Sequence, residues 1–311
     1  MKTICTFNHK GGVGKTSITY SLGLILTLKG YKTLLVDLDS QCNLTSLVLR
    51  ELVDEDKLEE LYQNPHNLTM ESISQQIIEG RNVDKILSNN ANLYPVLKDK
   101  LFLLPGHLNV SDLDPQLTIA LKTASTMPFM ANIVLNFIDT IQTLGKQYEI
   151  DYVLLDLRPH ISGISEVTIM SSDGLIIPTS PDYFCLQAVS SLTKNIEKWF
   201  YEIEQFNSII KLRNNHSVQV NNYIKTLGLI QQQKGLSSKI WNKRIEEAFN
   251  DILISRLSNI GFAPNQYEKT YLPYLDDFDI FINLLEHNNK DMSDDMLRYM
   301  QNLSLFVNCI L

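Results

Sequence analysis

The chain reads KGGVGKT from Lys10 to Thr16, directly after the apolar, strand-like run Ile4–Phe7. Three glycines in four positions let the backbone turn tightly and direct its N–H groups toward one point. A helical pattern begins at Ser17, so the positive end of the helix dipole faces the same point. Residues 10–16 therefore predict a phosphate-binding loop, which we name the phosphate loop. The residues expected to surround the bound phosphates are Gly11, Gly12, Val13, Gly14, Lys15, Thr16 and Ser17.

Two side chains of the phosphate loop carry its chemistry. Lys15 can reach the β- and γ-phosphates of a nucleotide, and the Thr16 hydroxyl can ligate Mg²⁺. The common pattern G-x-x-x-x-G-K-[ST] fails at its first position, which is His9 here, whereas K-G-G-x-G-K-[ST] fits completely. We therefore expect an ATPase whose ligands are ATP and Mg²⁺.

Acidic residues follow two further apolar runs. The run that ends at Val36 continues into Asp37 and Asp39, and strand alternation sends these two carboxylates to the same side. Carboxylates beside a phosphate site suit Mg²⁺ and the orientation of an attacking water. Asp156 closes the apolar run Tyr152–Asp156 and has the form of an acid that holds a Mg²⁺ shell. The predicted metal-binding residues are Thr16, Asp37, Asp39 and Asp156.

Strand-like and helical segments alternate along the 311 residues. This alternation predicts an α/β fold with a mostly parallel twisted sheet, helices on both faces, and ligands at the carboxyl ends of the strands. We expect a single domain over residues 1–311, with a peripheral helical insertion at 51–100 and a divergent C-terminal part at 233–311. The predicted strands are Ile4–Phe7, Lys32–Val36, Leu101–Pro105, Tyr152–Asp156, Gly174–Pro178 and Thr226–Ile230, with a further candidate at Lys269–Leu272.

Lys10 is an unusual member of the phosphate loop, because a second lysine is not needed to bind phosphate within one subunit. With it, the loop resembles the deviant Walker A motif of the ParA/MinD family of P-loop ATPases, and most of all the ParA/Soj-type partition ATPases. This resemblance implies a homodimer on ATP binding, in which Lys10 contacts the nucleotide of the other subunit. It also implies that Asp39, in Asp37-Leu38-Asp39-Ser40-Gln41, positions or activates the hydrolytic water and that Asp37 supports the metal shell.

The resemblance extends to about residue 232. Pro178 lies in a segment similar to the one that leads toward the adenine pocket in the family. Gln231 stands where the family usually offers an asparagine to adenine, and it carries the same amide on a longer arm. After Asp156 the family continues with Thr-Pro-Pro, but this chain has Leu157-Arg158-Pro159. The arginine could face phosphate, a partner or DNA, and the sequence does not choose among them.

The charge is distributed unevenly. The formal net charge of −8 disfavours nucleic acid as a partner on average. Residues 211–244 nevertheless hold seven Lys or Arg and no Asp or Glu. The resemblance implies non-specific DNA binding and a centromere- or cargo-binding, ParB-like partner that stimulates weak ATPase activity. The predicted DNA-binding residues are Lys211, Arg213, Lys234, Lys239, Lys243 and Arg244.

The alternatives that remain are a MinD-like membrane-surface regulator, a metabolic or metal-delivery ATPase, and a ParA-like ATPase of a mobile element or defence system. The tail places Leu297, Met300, Leu303 and Val307 on a helical pattern with one basic residue, Arg298, which predicts a core-packing helix rather than a membrane helix. The four cysteines form no CxxC pair, and no signal-peptide layout or long apolar run occurs. We therefore expect a cytoplasmic protein, nucleoid-associated if it binds DNA, with no membrane partner.

Overall fold

A single sheet organises the molecule. The computed structural model describes residues 1–49, 55–87, 92–97, 99–214, 226–233, 235–250, 266–273 and 294–310. Within these residues the sheet has eight strands. The strands are β1 (Lys2–Thr6), β2 (Thr33–Asp37), β3 (Tyr94–Leu97), β4 (Leu101–Leu104), β5 (Tyr152–Asp156), β6 (Gly174–Thr179), β7 (Thr226–Gln233) and β8 (Gln266–Pro273).

The strand order is β3-β4-β2-β5-β1-β6-β7-β8, and all neighbours are parallel except the pair β3 and β4. The predicted mostly parallel sheet is thus confirmed. The chain moves to one side of β1 with β2 and crosses to the other side with β6. Such a reversal opens a crevice at the carboxyl ends of the strands, where ligands bind in sheets of this kind.

Helices cover both faces of the sheet. They are α1 (Lys15–Leu28), α2 (Asn43–Leu49), α3 (Glu55–Gln63), α4 (Met70–Ile78), α5 (Val83–Ile86), α6 (Val110–Thr123), α7 (Ala131–Gln147), α8 (Gly163–Ser171), α9 (Tyr183–Asn214), α10 (Gly235–Ala248) and α11 (Asp294–Ile310). The side chains of Cys5 and Val36 belong to one buried cluster with α4–α10, whereas those of Ile4 and Leu35 belong to a second cluster with α1–α3 and α11. The alternation along each strand therefore supplies apolar residues to two cores.

The described part of the segment 51–100 contains α3, α4 and α5, and some of its residues are buried in the core. Met70, Ile73 and Ile77 of α4 are buried in the larger core cluster, because their spacing places them on one face of the helix. The segment also contributes β3, an edge strand that the sequence analysis missed. Pro95 lies in β3, where its missing N–H is tolerated at the edge of a sheet.

The C-terminal helix packs into the core as predicted. Its buried residues are Met296, Tyr299, Leu303, Phe306 and Val307, which join α1 in the second core cluster. The predicted stripe was partly wrong, since the side chain of Leu297 is 42% exposed. No helix in the described part of the chain combines the length and apolar character that a bilayer crossing requires.

Candidate functional site

The phosphate loop, which lies between β1 and α1, uses the left-handed backbone region at two glycines. Gly12 and Gly14 have φ of +69° and +79°, which favours glycine at both positions, and Gly14 is the N-cap of α1. Asn8 fixes the loop to β6, because its amide nitrogen donates to the Pro178 carbonyl at 2.6 Å. Its amide oxygen accepts the Lys10 backbone N–H at 3.0 Å. Asn8 was not among the predicted site residues.

A cavity of about 490 Å³ opens beside the loop at the carboxyl edge of the sheet. It brings most of the predicted phosphate-binding residues together with Asp39. The side chain of Val13, in contrast, is fully buried in the core and contributes no lining. The lining residues are Gly11, Gly12, Gly14, Lys15, Thr16, Ser17, Asp39, Gln41, Asn43, Leu47 and Pro159.

Lys15 lies at the centre of this arrangement. Its residue is only 7% exposed, and its Nζ donates to the Lys10 carbonyl at 3.2 Å. Burial lowers the pKa of the Lys15 ammonium, while the carboxyls of Asp156 and Asp39 act in the opposite direction. An anion entering the cavity would compensate the buried positive charge.

Thr16 and Asp156 form the candidate magnesium site. The Thr16 hydroxyl donates to Asp156 Oδ2 at 2.7 Å, and burial raises the pKa of Asp156 to about 8. Asp156 Oδ1 is buried and has no hydrogen-bond partner in the described structure, which is unusual for such an atom. The described residues contain no cluster of three or more His, Cys, Asp or Glu suited to a metal. The pair fits Mg²⁺, which commonly uses one or two protein ligands beside water and substrate phosphates.

Asp37 corrects the predicted metal set. The residue is fully buried; Oδ1 accepts the Asp39 N–H at 3.1 Å, and Oδ2 accepts the Thr45 N–H at 2.8 Å and the Thr45 hydroxyl at 2.7 Å. Desolvation by burial raises the pKa of Asp37 to about 6. Both oxygens accept hydrogen bonds, because β2 ends at Asp37 and the first turn of α2 lies next to its carboxylate. Asp37 therefore anchors α2 and the Asp39 turn, and it does not line the cavity.

Asp39 is on the cavity wall, in the position predicted for it beside the phosphate loop. Its Oδ1 accepts the Gln41 N–H at 3.0 Å, and its Oδ2 lies 3.5 Å from the Asn43 amide nitrogen. The second contact is at the long limit of a hydrogen bond, so Oδ2 retains capacity to accept from a water molecule.

Lys10 is not among the residues that line the cavity. Its Nζ donates to the Ser180 hydroxyl at 3.0 Å and forms an ion pair with Asp182 on the turn between β6 and α9. The side chains of Lys10 and Asp182 are 31% and 32% exposed. In the single chain the lysine is therefore held by its own subunit.

Comparison with known proteins identifies the family. A family model described as AAA domain matches residues 1–212. The chain belongs to the ParA/MinD family of P-loop ATPases.

Several relatives of this ParA/MinD-family chain carry partition names. An uncharacterized protein of Methanocaldococcus jannaschii is 29% identical over 249 residues, 79% of each chain. A probable plasmid-partitioning protein ParA of Thermus thermophilus is 25% identical over 206 residues, 64% of this chain and 51% of the relative. The chain thus spans only about half the length of that second relative.

Solved structures share the whole fold. A Corynebacterium diphtheriae protein has a TM-score of 0.71 at 17% identity, over 99% of this chain and 100% of that one. A putative plasmid partition protein of Borrelia burgdorferi bound to AMPPNP has a TM-score of 0.56 at 19% identity, over 99% and 98% of the two chains. At these identities the likeness establishes the fold.

Two other predicted positions of this ParA/MinD-family protein do not line the cavity, and of a third only the backbone is described. Pro178 is within β6 and does not line the cavity; its carbonyl holds Asn8. Gln231 is in β7, and its side chain is outside the described residues. Arg158 forms an ion pair with Asp114, whose Oδ1 accepts the Ile164 N–H at 2.8 Å.

The predicted DNA-binding residues are only partly described. Lys234 lies outside the described residues, and for Lys211 and Arg213 only the backbone, at the end of α9, is described. Lys239, Lys243 and Arg244 are exposed on α10. The Arg244 guanidinium lies 5.2 Å from the Trp241 ring centroid, and Lys243 Nζ lies 3.8 Å from Glu247.

Proposed function

We propose that the protein is an ATP-dependent dimerising switch of the ParA type, which pairs when it binds ATP and separates after hydrolysis. The observation that carries this proposal is the meeting of Lys15, Thr16 and Asp39 at one cavity. A cation, a hydroxyl suited to Mg²⁺ and a carboxylate suited to water are the groups that phosphoryl transfer to water requires.

Binding of the phosphates is assigned to the phosphate loop. The backbone N–H groups of the loop and the start of α1 would face the anionic oxygens, and Lys15 would neutralise the β- and γ-phosphates. We keep Gln231 as the proposed contact for the base. Pro178 supports the loop, because its carbonyl accepts from the Asn8 amide.

Thr16 and Asp156 are the residues proposed to hold Mg²⁺. When bound, Mg²⁺ would neutralise charge on the phosphate oxygens and so favour the departure of the leaving group. The unpartnered Oδ1 of Asp156 gives this assignment its support. Asp37 is removed from the metal set and retained as the anchor of the Asp39 turn.

Asp39 is proposed to orient the attacking water. One of its oxygens accepts from Gln41, which leaves Oδ2 to accept from the water. We further propose that the intrinsic ATPase activity is weak and that a centromere- or cargo-binding, ParB-like partner accelerates it.

The surface on which the switch works is proposed to be DNA, with a cytoplasmic, nucleoid-associated location. The exposed basic residues of α10 support phosphate contacts, which supply most non-specific affinity. A membrane tail receives no support, because the apolar stripe of α11 is buried in the core cluster that contains α1.

The assignment of the cavity is tested by Lys15→Ala and Asp39→Ala, with Lys29→Ala, at the exposed end of α1, as the control. Lys15→Ala should abolish ATP binding measured by calorimetry. Asp39→Ala should bind ATP as the wild type does and release phosphate on the order of 10²-fold more slowly. Retained tight ATP affinity in Lys15→Ala would overturn the phosphate assignment. Wild-type turnover in Asp39→Ala would remove Asp39 from its role.

A further inference from the structure

Asp182 uses its two carboxylate oxygens for different tasks. Oδ1 accepts the backbone N–H groups of Phe184 at 2.9 Å and Cys185 at 3.1 Å, which caps the first turn of α9. Oδ2 accepts the Ser180 hydroxyl at 2.7 Å and pairs with the Lys10 ammonium. The carboxylate is therefore fixed by the helix on one side and holds the lysine on the other.

The charges of Lys10 and Asp182 favour the ion pair between them. Burial acts to raise the pKa of Asp182, but hydrogen bonds from Lys10 and Ser180 bring it below its ordinary value. Asp182 consequently remains a carboxylate at neutral pH and keeps its attraction for the lysine. The backbone of Lys10 is also engaged, because its N–H donates to Asn8 and its carbonyl accepts from Lys15.

The Lys10 ammonium is already engaged within its own subunit. Lys10 Nζ carries three donors, and Ser180 and Asp182 take up two of them, which leaves one. A triphosphate on another copy that accepted more than one of these donors would have to draw the side chain away from Asp182. Breaking the Lys10–Asp182 ion pair costs free energy, and this cost reduces the free energy gained when two copies associate.

We propose that Asp182 is a positioning residue that holds Lys10 in its own subunit and that pairing of two ATP-loaded copies requires release of this contact. The inference rests on the proposed function, because it requires Lys10 to contact the nucleotide bound to the second copy. Two contacts open per dimer, one in each subunit. Asp182 thereby raises the protein concentration at which ATP-loaded copies form the dimer.

The test compares Asp182→Asn with the wild type in the full-length protein, with AMPPNP and Mg²⁺, by sedimentation. Asparagine keeps an oxygen that can cap α9 but removes the charge that attracts Lys10. Each partly exposed ion pair contributes modestly to the free energy, so loss of two should tighten the dimer Kd about three- to tenfold. AMPPNP affinity of the monomer should stay unchanged, since Asp182 does not line the cavity.

Two further variants make the result specific. Ser180→Ala removes the other holding group, leaves the helix cap intact and should shift the dimer Kd in the same direction. Lys10→Ala with Asp182→Asn should pair as poorly as Lys10→Ala alone, because Asp182 acts only through the lysine. Asp112→Asn, an exposed acid in the first turn of α6, is the matched control and should change nothing.

The outcomes separate the two proposals. A wild type that pairs with AMPPNP while Asp182→Asn and Ser180→Ala pair no more tightly overturns the role of Asp182 and leaves the switch intact. A gain in pairing that persists without Lys10 overturns it as well. If neither wild type nor variants pair at any AMPPNP concentration, the proposed function fails, and the role of Asp182 fails with it.

Discussion

Gly106 lies against the buried carboxyl of Asp37. A Cβ atom at position 106 would stand 2.8 Å from Asp37 Cγ, a distance that real contacts do not reach. The Gly106 N–H also donates to the Thr45 hydroxyl at 2.8 Å, and that hydroxyl donates to Asp37. The three residues therefore form a packed unit that fixes the turn carrying Asp39.

Gly106→Ala should accordingly lower the free energy of unfolding by about 1–3 kcal/mol, since the added methyl group displaces Asp37 or the backbone. Denaturant titration measures this change. Gly11→Ala is the control, because a Cβ there meets no atom within 4 Å. An unchanged free energy of unfolding in Gly106→Ala would show that the packing around Asp37 is loose.

For single residues, the sequence predicts those that belong to a short motif with a fixed spacing. Lys15, Thr16 and Asp39 are found from their places in motifs. Asp37 was grouped with Asp39 because strand alternation was applied beyond the end of β2, whereas the strand stops at Asp37. Asn8 and Asp182 were missed because their partners lie 170 and 172 residues away along the chain, and no local pattern contains such a pairing.

Among the elements, α10 carries the described part of the basic surface. Lys239 and Lys243 are four residues apart and exposed, so they lie on one side of the helix. Trp241 contacts Tyr183, the first residue of α9, with ring centroids 6.2 Å apart. The helix is thus joined to the turn that holds Lys10.

Lys239→Glu with Lys243→Glu should weaken binding to non-specific duplex DNA and flatten its salt dependence, since two phosphate contacts are lost. Fluorescence anisotropy in the presence of ATP, at several salt concentrations, measures both effects. The control is Lys29→Glu with Lys146→Glu, which makes the same change of charge at exposed positions. Lys29 follows α1 and Lys146 is in the last turn of α7, and this pair should have a smaller effect on DNA binding. Equal losses in both pairs would point to net charge instead of a surface on α10.

The elements that the sequence predicts best are the apolar strands at the sheet centre. Each predicted run from Ile4–Phe7 to Thr226–Ile230 corresponds to an observed strand. Between β4 and β5 the chain forms two helices, α6 and α7, with a short 3-10 turn at Pro128–Met130 between them.

For the whole molecule, the arrangement of the cores supports the proposal that residues 1–311 form one domain. The family model ends at residue 212, yet α11 packs against α1 in the second core cluster. The C-terminal part 233–311 would then diverge in sequence while completing the fold around the nucleotide site. The switch proposed for this fold depends on the dimerisation of two copies. Dimerisation involves the whole molecule and not a single site.

The most direct measurement is the mass of the Asp39→Ala protein in solution with Mg²⁺ and either ATP or ADP, obtained by light scattering. We expect twice the monomer mass of 35.6 kDa with ATP and the monomer mass with ADP. Adding Lys10→Ala should return the ATP sample to the monomer mass. A monomer with both nucleotides, at concentrations that saturate the cavity, would contradict the account of this protein as an ATP-dependent dimerising switch.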